Sequence, residues 1–141
     1  GVPSGVAAKV AFPSKFVVSV SGDGCFLMNG QEISTAIQYN LKILFVVFDN
    51  GMYGTIRMHQ ERDYPEHVYG TNLKNPDFAA LARAYGLYAE TINTTEEIRG
   101  AFERCMDQTV ASLIHIKVDP EAITTRTTLT AIRENALSKQ G

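Results

Sequence analysis

The stretch "SGDGCFLMNGQEISTAIQYNLKILFVVFDNGMYG", Ser21–Gly54, sets an acidic Gly-Asp-Gly turn and an Asp-Asn-Gly turn at the ends of two apolar runs. The first run, Lys15–Gly22 ("KFVVSVSG"), is β-branched and closes on glycine, which predicts a buried strand. From Gln31 to Leu41, Ile33, Ala36, Ile37 and Leu41 recur at helical spacing. Ile43–Asn50 ("ILFVVFDN") is too short for a typical helix and rich in Val and Phe, and is expected to be a second buried strand. Strand, helix and strand together have the size of a βαβ unit. The order then repeats. Asn75, Pro76 and Asp77 open a helix through Phe78, Leu81, Ala82 and Tyr85, with Pro76 suited to its first position and Gly86 closing it. Leu87–Ile92 is expected as a third strand, and Thr94 with Glu97 has capping-box spacing before a helix through Ile98, Ala101, Phe102 and Cys105. Ser112–Asp119 is expected as a fourth strand, followed by a polar tail that turns helical over Leu129–Ser138. Alternating strands and helices predict an α/β fold, a doubly wound and mostly parallel sheet with helices on both faces.

With 141 residues, the chain fits a single domain spanning 1–141. Its 45% hydrophobic and 20% charged residues are ordinary for a globular protein. A net charge of −2 gives no basic footprint for nucleic acid. No apolar run is long enough for a membrane span, and the N-terminal segment lacks the pattern of a signal peptide. Cys25 and Cys105 match no zinc spacing and are expected as free thiols in a cytoplasmic protein. The chain opens at Gly1 within what reads as the middle of an element, as a fragment of a larger protein would.

In an open parallel sheet, ligands collect outside the carboxyl ends of the strands, where Asp23 and Asn50 both fall. A carboxylate and a carboxamide oxygen are hard donors suited to Mg²⁺, which shares its coordination with phosphates. Gly22 and Gly24 let the backbone turn close to a phosphate, toward which the amides of Gly24 and Cys25 would point. The following helix is expected only several residues later, making its dipole secondary. Each turn alone is ordinary turn chemistry. Their separation of 27 residues across one helix, with a buried strand before each, favours a common site. The segment Gly51–Asn75 ("GMYGTIRMHQERDYPEHVYGTNLKN") lacks clear periodicity and is expected as a long loop serving that site.

These residues carry a resemblance. "GDG" followed after this spacer by "DN" resembles the thiamine-diphosphate motif, and "QEISTAIQYNLKILFVVFDNGMYGTI" resembles the acetolactate synthase, pyruvate oxidase and pyruvate decarboxylase superfamily. The similarity runs from "GVPSGVAAKVAFP" to "IHIKVDPEAIT". It implies the C-terminal, diphosphate-binding domain of such an enzyme, with thiamine diphosphate and Mg²⁺ as cofactors and a 2-keto acid as substrate. By position it implies Asp23, Asn50 and the Met52 carbonyl as metal ligands. Gly24 and Cys25 would contact the diphosphate, while Tyr53 and Gly54 shape the metal loop. Cys25 stands where many relatives have serine, and Asp49 where an asparagine is usual.

The resemblance also implies what lies elsewhere: an N-terminal pyrimidine-binding domain, a middle domain, and an activating glutamate contributed by a neighbouring subunit of a homo-oligomer. This chain alone is therefore expected to hold no catalytic residue. Glu32, in the family's "QE" pattern, reads as favouring a helix N-terminus. Arg57, His59, Glu61 and Arg62 read either as a substrate entrance, with Arg57 a carboxylate clamp and His59 a proton carrier, or as a solvated charged loop. Thr55 and His59 occupy positions where acetolactate synthases usually have methionine and tryptophan, which leaves a related decarboxylase or carboligase equally open. A Mg²⁺-dependent phosphate- or nucleotide-binding α/β module is the alternative, although no "GKS/T" or Asp-x-Asp motif is present. A non-catalytic interaction module, with the turns merely turns, is a third.

Overall fold

A computed structural model describes residues 1–139, which gather into two compact units. The first unit comprises Gly1–Asp49 and Asn75–Lys117. Its strands β1 (Val17–Gly22), β2 (Ile43–Asp49), β3 (Tyr88–Ile92) and β4 (Ser112–Lys117) form a four-stranded, all-parallel sheet in the order β1-β2-β4-β3. The helices of this unit are α1 (Val2–Ala11), α2 (Asp23–Asn29), α3 (Ile33–Gln38), α5 (Phe78–Ala84) and α6 (Glu97–Asp107).

Strand β2 explains why a continuous apolar run was needed. Ile43, Phe45 and Val47 point into a core with Val2, Val6, Phe26, Ile33, Ala36, Phe78, Ala79 and Ala82, while Leu44 and Val46 are buried on the opposite face. On that second face, α6 packs against β3 and β4 and buries Ala101 and Cys105. Helices on both faces and a parallel sheet match the expected class. Strand β1 alternates in the opposite sense. Its serines Ser19 and Ser21 are buried, whereas Val18 and Val20 are exposed. Close approach of α1 accounts for the choice at Ser19, because a Cβ on Gly5 would lie 2.7 Å from the Ser19 Cβ. A bulkier inward residue would push the helix away.

The second unit comprises Asn50–Lys74 and the segment from Val118 onward. It contains α4 (Gly54–Asp63) and α7 (Leu129–Leu137), which pack against each other. Thr128 caps α7 by accepting a hydrogen bond from the Ala131 amide (3.1 Å), and the helical tail lies where it was expected.

Several local expectations are corrected. The helix expected from Gln31 to Leu41 is a 3₁₀ turn, Gly30–Glu32, leading into α3. A separate helix, α2, begins at Asp23 itself, directly after the extended Gly22. Gly51–Asn75 is not a continuous loop, since it contains α4. That helix escapes periodicity because Glu61 is its only fully buried residue, so it has no apolar stripe to read. Pro76 precedes α5 rather than opening it, and Asp77 is the cap, accepting from the Ala80 amide at 3.0 Å. The capping box is realised by half: the Glu97 carboxylate accepts from the Asn93 and Thr94 amides, but the Glu97 amide donates to the Thr94 carbonyl at 3.3 Å rather than to its hydroxyl. Helix α1 has no counterpart in the pattern reading.

Candidate functional site: a carboxylate cluster at the sheet edge and an asparagine turn

In the parallel register Gly22 is level with Phe48, and Asp49 with Lys117. The carboxyl ends of β1, β2 and β4 therefore present Asp23, Asp49 and Lys117 at one edge of the first unit. Asp23 is the first residue of α2 and is 3% exposed. Its Oδ1 accepts a hydrogen bond from the Gly24 amide at 2.8 Å. Its Oδ2 accepts from Asn75 Nδ2 at 2.7 Å, and the same nitrogen donates to Asp49 Oδ1 at 2.7 Å. With a carboxylate oxygen on each side, the atom in that position has to be the amide nitrogen rather than the oxygen.

Asp49 is 4% exposed. Its Oδ2 faces His115 Nε2 at 2.8 Å and accepts a short bond from Lys117 Nζ. A buried carboxylate without such partners would be strongly disfavoured. The acidic residue in place of the usual asparagine is thus balanced from β4. His115 is 1% exposed, and its ring meets Phe78 edge-on with centroids 5.0 Å apart. It belongs to this buried network.

The chemistry of the cluster fits a hard cation. Asn75 Oδ1 is buried and accepts no hydrogen bond. An amide oxygen left without a donor beside two buried carboxylates is what a bound cation would complete. No group of three or more His, Cys, Asp or Glu is placed to hold a metal among the described residues. A cation at Asp23 would therefore draw its remaining ligands from carboxamides, carbonyls and phosphate oxygens.

Asn50, Met52, Tyr53 and Gly54 belong to the second unit. Asn50 Oδ1 accepts from the Met52 amide at 3.1 Å, closing an Asx turn across Gly51, whose φ of +71° is the left-handed conformation that glycine tolerates. A carboxamide oxygen has a second lone pair, so this bond leaves room for a metal. Met52 bridges Asn72, the Tyr53 amide donates to the Thr71 carbonyl, and the Leu73 amide donates to the Gly51 carbonyl, both at 2.8 Å. The Met52 carbonyl is thereby carried on an anchored backbone. Tyr53 precedes α4 and its carbonyl accepts from the Arg57 amide. Gly54 opens α4 where a Cβ would lie 2.7 Å from Ile123 Cδ1 and 2.8 Å from Asn50 Nδ2, so a larger residue would make the ends of both side chains shift.

Gly24 and Cys25 lie in the first turn of α2, so the helix dipole acts at these amides rather than at a distance. The Gly24 amide is engaged by Asp23, and the Cys25 side chain is exposed. Among the remaining sequence candidates, Arg57 is no free carboxylate clamp: it bonds Glu61 at 3.1 Å and Asn72 at 3.2 Å. Glu61 is fully buried between Arg57 and Arg133, whose guanidinium groups hold its carboxyl down at about 2. It is a structural ion cluster. Arg62 pairs with its neighbour Asp63, and His59 is exposed. Glu32 accepts from Thr35 Oγ1 at 2.9 Å ahead of α3, the structural role expected of it. Asn75 and Lys117 were missed by sequence reasoning. Asn75 was read only as a helix opener, and nothing in the pattern linked it to Asp23, 52 residues away.

Comparison with known proteins identifies the family. The family model described as "Thiamine pyrophosphate enzyme, C-terminal TPP binding domain" matches residues 1–116. The acetolactate synthase isozyme 2 large subunit of Escherichia coli is 35% identical over 120 residues, covering 84% of this chain and 22% of that protein. A probable acetolactate synthase large subunit of Methanocaldococcus jannaschii is 35% identical over 121 residues, covering 85% and 20% respectively. The 3D-(3,5/4)-trihydroxycyclohexane-1,2-dione hydrolase of Bacillus subtilis is 38% identical over 123 residues, covering 82% and 19%. The chain spans about a fifth of the length of these relatives. It belongs to the thiamine pyrophosphate enzymes, and within them to the C-terminal TPP-binding domain.

Proposed function

We propose that residues 1–141 act as a single diphosphate-binding domain, the C-terminal part of an acetolactate synthase-like enzyme that decarboxylates 2-keto acids, joins them, or does both. The observation that carries this reading is the buried Asp23 carboxylate at the end of β1, beside a carboxamide whose oxygen lacks a donor, in a chain of this family. Asp23, Asn50 and the Met52 carbonyl would hold Mg²⁺, which neutralises the cofactor's diphosphate. The amide of Cys25 and that of Gly24, once released from Asp23, would donate to the phosphate oxygens. Tyr53 and Gly54 would fix the backbone from which Asn50 and Met52 reach the metal. The bound cofactor supplies the electron sink for decarboxylation. This chain's part is to bind and orient it, and no residue here is assigned a catalytic step.

The remainder of the site would come from pyrimidine-binding and middle domains and from a second subunit of a homo-oligomer. Relatives about five times as long support that division. Unpaired Cys25 and Cys105 support a reducing, cytoplasmic setting. No described helix is long and apolar enough to cross a membrane. The test is carbon dioxide release from a panel of 2-keto acids, pyruvate and 2-oxobutyrate first, by the full-length protein with thiamine diphosphate and Mg²⁺. Release that requires both cofactors supports the reading. No release from any member of the panel by a folded protein contradicts it.

A further inference from the structure

We propose that Asn75 is the positioning residue of the metal site: one amide nitrogen clamps the Asp23 carboxylate and at the same time separates it from Asp49. The inference rests on the reading of Asp23 as a metal ligand. Asn75 Nδ2 lies 2.7 Å from Asp23 Oδ2 and 2.7 Å from Asp49 Oδ1, so both of its hydrogens are directed at buried carboxylates. Two carboxylates this close in a dry environment repel strongly, and an inserted donor pair converts the repulsion into two hydrogen bonds. The second oxygen of Asp49 faces His115 and Lys117 from β4. Charge is thereby arranged in series: a cationic side on β4, Asp49, the neutral carboxamide, then Asp23. Asp49 is held toward the lysine, and Asp23 is oriented by the Asn75 carboxamide.

The other end of the same carboxamide adds a second observation. Asn75 Oδ1 is buried without a donor, an arrangement that costs free energy unless something completes it. A residue placed only to open α5 would not need it, because the cap of that helix is the Asp77 side chain. The position just before Pro76 also restricts the Asn75 backbone to extended conformations, which fixes the direction from which the side chain reaches the cluster.

The experiment uses the full-length protein and reads Mn²⁺ affinity by the paramagnetic resonance signal of free Mn²⁺, with thiamine diphosphate saturating. Wild type comes first: failure to bind Mn²⁺ sinks the assignment of Asp23 itself, separately from the role of Asn75. Given binding, Asn75→Ala is expected to weaken Mn²⁺ at least 10-fold, and Asp49→Asn to change it less than about 3-fold. In the double variant the Asn75→Ala loss should shrink to under about 3-fold, since a neutral residue 49 leaves no repulsion to screen. A role in the fold alone would give the same loss whichever residue occupies 49, and that result overturns the proposal. So does Asn75→Ala binding Mn²⁺ as wild type does. Should Asn75→Ala not fold, Asn75→Ser decides, because one hydroxyl hydrogen cannot donate to both carboxylates: at least a 10-fold loss is expected, and unchanged affinity overturns the proposal.

Discussion

Replacing Glu61 with glutamine removes the charge at the centre of the α4–α7 pair while keeping its volume. The wild-type carboxylate is fully buried, with Arg133 Nη2 and Nε at 2.5 and 2.7 Å and Arg57 Nε at 3.1 Å. Hydrogen bonds from Arg133 foremost, and from Arg57, outweigh burial and hold its carboxyl at about 2 against an ordinary 4.5. At about 1.4 kcal/mol per unit, that difference corresponds to about 3 kcal/mol of stability for the ionised form. The value agrees with the roughly 3–5 kcal/mol lost when one member of a buried ion pair is removed. The sign follows from a depressed folded value. The stabilisation is fully present above the unfolded carboxyl's range and is lost as pH falls through the folded one. At pH 7, Glu61→Gln should therefore be less stable by about 3 kcal/mol. The gap should narrow to about half that near pH 3, and to under about 1 kcal/mol near pH 2, as the wild-type carboxylate itself takes up a proton. Urea unfolding of both proteins at a series of pH values, followed by circular dichroism, measures the gap. A gap that stays constant across this range, or one below about 1 kcal/mol at pH 7, refutes the assignment of the cluster as an ionised clamp.

Phe78→Ala should cost about 3–5 kcal/mol, because the ring is fully buried and meets both Phe26 and His115 edge-on. A fall in thermal midpoint measures it, and a loss under about 1 kcal/mol would contradict the packing described. Gly54→Ala should destabilise by under about 1.5 kcal/mol, since its methyl group would meet the movable ends of Ile123 and Asn50 at 2.7 and 2.8 Å. Displacing the Asn50 side chain should also weaken Mg²⁺ binding, and a variant that binds Mg²⁺ normally would show that Gly54 does not guard that asparagine.

The sheet was legible in the sequence because a strand buried on both faces needs an uninterrupted apolar run, and Ile43–Val47 and Leu113–Ile116 supply it. The placing of Asp23 and Asn50 at strand ends was legible because each directly follows an apolar run that reads as a strand. Helix α4 was not, because its buried residue is a glutamate satisfied by two arginines, and hydrophobic periodicity does not register an ion pair. Helix α2 was hidden inside what looked like a turn, since Gly-Asp-Gly favours a turn until Phe26 packs against Phe78. The Asp23–Asn75–Asp49 bridge joins residues 26 and 52 positions apart, so only the folded sheet brings them together.

The proposed function requires the Gly-Asp-Gly and Asp-Asn-Gly turns to serve one metal-dependent cofactor site. Calorimetric titration of thiamine diphosphate into the full-length protein, with Mg²⁺ and with a chelator, beside Asp23→Ala and Asn50→Ala variants, tests it most directly. The account predicts binding with Mg²⁺ that is lost in chelator and weakened at least about 10-fold in each folded variant, equivalent to about 1.4 kcal/mol or more. Binding that is indifferent to Mg²⁺, or unchanged in both folded variants, would contradict it.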